Sequence, residues 1–298
     1  MSIATTTPSR IHTVDSEKID QIVKRMIKGG ASKLHILADF DRTLTLAFVD
    51  GVPTPSMTAI LRDHGYLTPD YPAKAKALYA HYGKIERDPA VPIDKKKKIM
   101  DEWWRAHFDL MQKSGLSKKD LEKAMASGVV QFRPGAFKFI DTLNEQNIPL
   151  VIMSASGLGE ESVAIRLRQE NRLLDNVHII SNAFIWDENG RAVGIREPIV
   201  TGVNKDETLI QNFPAYEVVK DRKNVILLGD NIGDVGMSDG FEFDNLLKIG
   251  FLNEDKAGEL LPVFEKHYDV VIQDDGPFDY INEVLTKVID NADGYARG

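Results

Sequence analysis

The chain has 298 residues, 43% of them hydrophobic, enough for a large packed core, and it carries a formal charge of −8. It has no cysteine, which excludes disulfides, thiol catalysis and thiolate metal sites, so any metal must be held by oxygen or imidazole. The acidic balance argues against a general nucleic-acid binder, and no apolar stretch approaches the roughly 18 residues of a membrane span.

Met1 to Arg10 is rich in Thr and Ser without the apolar core of a secretory signal, and residues 1–14 read as a frayed leader of a cytoplasmic, monomeric protein. Asp15 to Lys28 places Ile19, Ile22, Val23, Met26 and Ile27 at helical spacing and stops at Gly29-Gly30. The apolar run Leu34 to Ala38 predicts a buried strand, which leads directly into Asp39-Phe40-Asp41. From about Thr54 to Gly128 there is no convincing strand: Thr54-Pro55 and Asp94 look like helix starts, Gly65 and Gly115 like stops, and Ser117 with Asp120 like a capping pair. Lys95 to Lys98 reads as a solvated face.

From Arg133 onwards strand and helix alternate. A helix runs to Asn147, Ile148 to Met153 is a strand ending in Ser154-Ala155-Ser156-Gly157, a helix covers Glu160 to Asn171, and Val177 to Ser181 is a strand. Phe184 to Ile195 departs from this pattern, because Asn189-Gly190 signals a tight hairpin. Lys205 follows, then a strand from Val225 to Leu228 that runs into Gly229-Asp230-Asn231-Ile232-Gly233-Asp234. Leu247 to Phe251, Val270 to Gln273 and a helix over Phe278 to Ile289 complete the pattern. Such alternation predicts an α/β fold, a doubly wound parallel sheet, with core residues 1–50 and 129–298 and an inserted helical cap over 51–128.

The strand ends carry the chemistry. Asp39 and Asp41 lie beyond the end of a strand, where the chain turns and both can reach one ligand outside the sheet. One carboxylate can attack phosphorus while the other handles a proton. A D-x-D pair alone is equally read as strand-end and turn carboxylates, so the other positions must decide. Ser154 offers a hydroxyl before a helix, Lys205 a cation, and Asp230 and Asp234 an acidic pair suited to Mg²⁺.

In this order and these strand contexts, the residues match one by one the four motifs of the haloacid dehalogenase superfamily of phosphohydrolases, which the chain resembles. Gln21 to Thr45, Glu102-Trp103-Trp104, Ser181-Asn182, Val203-Asn204-Lys205 and Leu246 to Asn253 further resemble the pyrimidine 5′-nucleotidases of the cytosolic 5′-nucleotidase III type, over most of the chain from about residue 17. The resemblance implies a Mg²⁺-dependent hydrolase of nucleoside 5′-monophosphates, of pyrimidine or 7-methylguanosine type. In it Asp39 would be the nucleophile, Asp41 the acid and base, Ser154 a phosphate ligand and Lys205 the neutralising cation. Mg²⁺ would sit on the Asp39 carboxylate, the Asp41 carbonyl and Asp230, with Asp234 close by.

The motif reads Ser154-Ala155-Ser156-Gly157 where the family usually has Ser-Ala-Gly, so the phosphate role of Ser154 is open to Ser156, with Ala155 between them. On the helix through Asp94 to Lys113, Met100, Trp104, Phe108 and Met111 form one stripe with Trp103 and His107 at its edge, and Glu102 lies about 100° further round. By resemblance Glu102 contacts the base, on which Trp103 or His107 could stack. Both aromatic faces favour a cationic methylated base. A sugar phosphatase, a phosphotransferase to nucleosides and a non-catalytic binding protein on the same scaffold are the alternatives.

Overall fold

The computed structural model describes residues 10–290 apart from 89, 206–210, 212, 240–241 and 257. The start of the chain differs from expectation. Ile11–Thr13 is not a frayed leader but a short strand, β1, before helix α1 (Ser16–Gly29), which Asp15 caps by accepting from Lys18 N. Three residues are too few for a periodic signal, and the pairing that orders them comes from a strand more than 250 residues away.

β2 (Leu34–Ala38) is buried along its whole length: Leu34, Ile36 and Ala38 enter one core cluster and Leu37 the opposite one. Burial on both faces is why this strand reads as a continuous apolar run. A two-stranded ribbon follows, β3 (Phe48–Val49) and β4 (Val52–Pro53). Four helices come next: α2 (Met57–Asp63), α3 (Tyr71–Arg87), α4 (Ile93–Lys113) and α5 (Lys118–Met125). Ser56 caps α2, two residues beyond the predicted start, and α4 starts after Pro92 with Asp94 in its first turn. Gly65 and Gly115 follow their helices at φ 66° and 82°, where a Cβ is strained, and Ser117 and Asp120 form the expected capping box. Within the lysine run, Lys96 donates to the carbonyls of Glu86 and Asp88 at 2.8 and 2.9 Å, so it tethers the end of α3.

α6 (Ala136–Glu145), β5 (Leu150–Met153), α7 (Gly159–Gln169) and β6 (Val177–Ile180) continue the alternation. β7 (Phe184–Trp186) and β8 (Ala192–Ile195) form the hairpin, and Gly190 at φ 73° closes its turn. The remaining strands are β9 (Asn224–Gly229), β10 (Asn245–Leu252) and β11 (Val270–Gln273), with the helix Asp279–Asp290 after them.

The main sheet runs β1-β11-β10-β9-β2-β5-β6, and every pairing is parallel except that of β1 with β11 at the edge. After β2 the chain builds outward through β5 and β6, then returns to place β9 on the other side. The C-terminal ends of β5, β2 and β9 therefore meet at a topological switch point, where ligands bind in open α/β sheets. Met57 and Ile60 of α2, Phe108 and Met111 of α4 and Leu121 of α5 share one core cluster with Ile36 and Ile152 of the sheet, so the helical segment is fused to the sheet beside this crevice.

Candidate active site

Asp39 leaves β2 with its N–H donating to the Leu228 carbonyl at 3.0 Å, and this bond locks the loop to β9. The chain then turns sharply. Arg42 sits in the left-handed region at φ 60°, a conformation costing a non-glycine residue ~1–2 kcal/mol, so the surroundings must hold it there. The Thr45 hydroxyl accepts from Arg42 N at 2.9 Å, and the Arg42 carbonyl accepts from Arg133 Nη2 and from Asn253 Nδ2. The Arg42 guanidinium donates to the Thr54 carbonyl at 3.1 Å, which fixes its side chain against the segment before α2. The Thr43 hydroxyl is buried without a partner, so Thr45, not Thr43, supplies the side-chain contact that orders this turn.

Lys205 Nζ bridges the carboxylates of Asp39 and Asp234. The loop leading to it is ordered by Asn204, which accepts from Thr201 N at 2.7 Å and donates to the Ile199 carbonyl at 2.8 Å. Burial opposes the charge on Lys205, but Asp234 and Asp39 outweigh it and hold the ammonium above the ordinary lysine range. Burial raises Asp39 well above the usual carboxylate range against the pull of Lys205, and it raises Asp41 to about 6 against Lys205 and Arg42. Asp230 is pushed up to about 7 by burial and by the neighbouring Asp234.

Asp39, Asp230 and Asp234 each present a carboxylate oxygen within 4.8 Å of the others. Three like charges in a recess are unfavourable unless a cation joins them, and all the donors are hard oxygens, so the set fits a divalent cation such as Mg²⁺. The three are not equivalent. Asp234 accepts from Asp230 N at 3.2 Å and Asn231 N at 3.0 Å, so it shapes the loop, while Lys205 pairs with both Asp234 and Asp39. Gly229 makes this possible, since a Cβ there would lie 2.5 Å from that of Asp234.

Two adjoining cavities open at the strand ends. The polar one, about 710 Å³, is lined by Asp39, Asp41, Ser154, Lys205, Asp230 and Asp234. Its neighbour, about 510 Å³, is walled by Trp103, Trp104, Tyr79 and His107. Asp41, Arg42, Ser56 and Ala155 line both.

The two serines divide between the cavities. Ser154 faces the polar cavity, whereas Ser156 lines the aromatic one, and its hydroxyl is taken up by Met57 Sδ at 3.3 Å and by Leu158 N at 3.2 Å. Asn182 braces this loop by donating to the Ser156 carbonyl at 3.1 Å and to Val200 at 2.9 Å.

Trp103 is buried and stacks on Tyr82 and Trp104 at centroid distances of 5.8 and 6.0 Å. His107 is buried against Trp104, and its Nε2 pairs with the Tyr71 hydroxyl at 3.1 Å; burial and then Arg62 lower it to about 4, so it is neutral near pH 7. Glu102 is exposed on the far side of α4 and lines neither cavity, contrary to expectation, because the turn that separates it from the stripe carries it to solvent. A different carboxylate, Glu86 near the end of α3, lines the polar cavity. No sequence pattern marked Glu86, which lies near the end of α3 where that helix packs on α4.

A parallel sheet whose switch point gathers Asp39, Asp41, Lys205, Asp230 and Asp234 has the architecture of a haloacid dehalogenase-type hydrolase. The comparisons narrow this. A model of the pyrimidine 5′-nucleotidase (UMPH-1) family matches residues 42–289. The human 7-methylguanosine phosphate-specific 5′-nucleotidase is 33% identical over 273 residues, 91% of this chain and 90% of that protein. The rat protein of the same name is 32% identical over 277 residues, 93% and 91% of the two chains. A crystal structure of cytosolic 5′-nucleotidase IIIB bound to cytidine superposes with a TM-score of 0.85 at 28% identity, covering 96% of this chain and 95% of that one. The chain belongs to the pyrimidine 5′-nucleotidase (UMPH-1) family and is a phosphoric monoester hydrolase.

Proposed function

We propose that the chain is a Mg²⁺-dependent, cytosolic 5′-nucleotidase that hydrolyses nucleoside 5′-monophosphates with a pyrimidine or 7-methylguanine base through a phosphate ester of Asp39. The observation that carries this reading is the pair of joined cavities, one with the phosphoryl-transfer groups and one with stacked aromatic walls. A phosphate in the first would leave a planar base in the second, which a bare sugar phosphate would not fill.

Asp39 Oδ attacks phosphorus as the bond to the nucleoside oxygen breaks, and Asp41 gives its proton to that oxygen. The same carboxylate then takes a proton from the water that releases phosphate. With its pKa raised to about 6, Asp41 is matched to both roles near neutral pH. Lys205 and Ser154 hold the equatorial oxygens, and Lys205 gains most as charge spreads over them. Asp39 and Asp230, with the Asp41 carbonyl, would hold Mg²⁺, which when bound neutralises the charge between nucleophile and phosphate. In the aromatic cavity the face of Trp103 or Trp104 supports a base with positive charge, and Glu86, on the wall of the adjoining polar cavity, offers a carboxylate to its donor edges. The names of the curated relatives favour 7-methylguanosine phosphate; the cytidine in the structural neighbour favours a pyrimidine.

The deciding test is phosphate release from a panel of ribonucleoside and deoxyribonucleoside monophosphates, 7-methylguanosine monophosphate and sugar phosphates. Release confined to nucleotides, and abolished by EDTA and by Asp39→Asn, is the expected result. Release mainly from sugar phosphates would sink the substrate assignment.

A further inference from the structure

Arg133 takes no part in the chemistry above, yet it makes more hydrogen bonds around the nucleophile loop than any other side chain described there. It is 2% exposed, so a full positive charge has been withdrawn from water. Its Nε donates to the Thr43 carbonyl at 2.9 Å and its Nη2 to the Arg42 carbonyl, the two carbonyls directly after Asp41. Nη2 also reaches Asn253 Oδ1 at 2.9 Å, and Asn253 Nδ2 donates to the same Arg42 carbonyl at 3.0 Å. Nη1 bonds Asp275 Oδ1 at 2.8 Å and the Gly276 carbonyl at 2.9 Å. The Asp275 carboxylate in turn accepts from the N–H groups of Ala47 and Phe48 at 3.0 and 2.9 Å. The guanidinium plane rests on the Phe251 ring, 4.2 Å from its centroid.

The arrangement has a direction. Arg42, directly after Asp41, is in the left-handed region, and the carbonyls that this turn presents, those of Arg42 and Thr43, are the ones Arg133 holds. Carbonyls forced to point one way are held by the one side chain that can donate to several at once from a planar fork. We infer that Arg133, with Asn253 and Asp275, is a positioning residue: it clamps the Arg42–Thr43 carbonyls and thereby holds the Asp41 carboxyl against the leaving oxygen. This rests on the reading of Asp41 as the acid. As the P–O bond to the alcohol breaks, the Asp41 proton goes to the departing oxygen, and a loop that drifts loses that transfer before it loses the attack by Asp39.

The consequence is a dependence on the leaving group, which a general loosening of the fold would not produce. The experiment compares kcat/KM for phenyl phosphate, whose leaving oxygen needs a proton, with p-nitrophenyl phosphate, whose anion leaves unaided. Neither ester depends on the nucleotide assignment. Arg133→Met is expected to lose about 10²-fold on phenyl phosphate and markedly less on p-nitrophenyl phosphate, with Arg133→Lys recovering part of the difference. Asn253→Ala, which removes one donor to the Arg42 carbonyl without burying a charge, shows the same pattern at about 10-fold and serves should Arg133→Met fail to fold. Asp41→Asn is the reference. If it depends on the leaving group and the folded Arg133 and Asn253 variants lose equally on both esters, or lose nothing, the positioning role is overturned. If Asp41→Asn shows no such dependence, the acid assignment fails and takes the inference with it.

Discussion

At the scale of single residues, the acidic cluster trades stability for function. Asp230 has its carboxyl raised to about 7 in the folded chain, against about 4 when unfolded. A raised pKa means that the contribution to stability is fully present below pH ~4 and is lost as pH climbs through ~7. Asp230→Asn should therefore stabilise the metal-free protein at pH 7.5 by about 2 kcal/mol, a figure discounted for its partial exposure, and by nothing near pH 4. Denaturant melts at both pH values check this, and the same variant should release no phosphate. Added Mg²⁺ should raise the melting temperature of the wild type and not of the variant. Base selection gives a second residue-scale contrast. Glu86→Gln should change the ratio of kcat/KM between 7-methylguanosine and cytidine monophosphates several-fold, whereas Glu102→Ala, whose side chain meets solvent, should leave it within twofold; a reversed result would return the base contact to Glu102.

Among the elements, the loop between β5 and α7 sets the shape of the aromatic cavity. Gly157 lies so close to α2 and α4 that a Cβ would sit 2.4 Å from Thr58 Cγ2 and 2.5 Å from the Trp104 ring. Gly157→Ala must displace Trp104, so the KM for nucleotides should rise several-fold while turnover of phenyl phosphate, which needs only the polar cavity, stays near wild type. Equal losses on both substrates would show that the loop, not the cavity wall, was disturbed. Much at this scale was legible beforehand. The strands β2, β5, β9, β10 and β11, the capping pair Ser117 and Asp120 and the hairpin turn at Asn189-Gly190 follow from apolar runs and turn chemistry within a few residues of one another. β1 and the β3–β4 ribbon did not, because two or three residues carry no period and depend on a partner distant in sequence.

For the whole molecule, the shared core cluster argues that helices α2–α5 and the sheet unfold together. Calorimetry should record one cooperative transition, and a resolved early transition would mark the helical segment as an independent unit. Arg105 of α4 also reaches across to Glu197 after β8, at 2.6 and 3.1 Å, although the pair is about half exposed and contributes no more than ~1 kcal/mol. The sequence by itself determined the alternating fold and the switch-point strands, and it singled out Asp39, Asp41, Ser154, Lys205, Asp230 and Asp234, all of which but Lys205 follow the end of a buried apolar run. The tertiary structure alone decided that Ser154 lines the polar cavity and Ser156 the aromatic one, that Glu86 and not Glu102 lines a cavity wall, and that Arg133 grips the loop beside Asp41. Each depends on how separate elements pack against one another, and no local pattern of side chains encodes that packing.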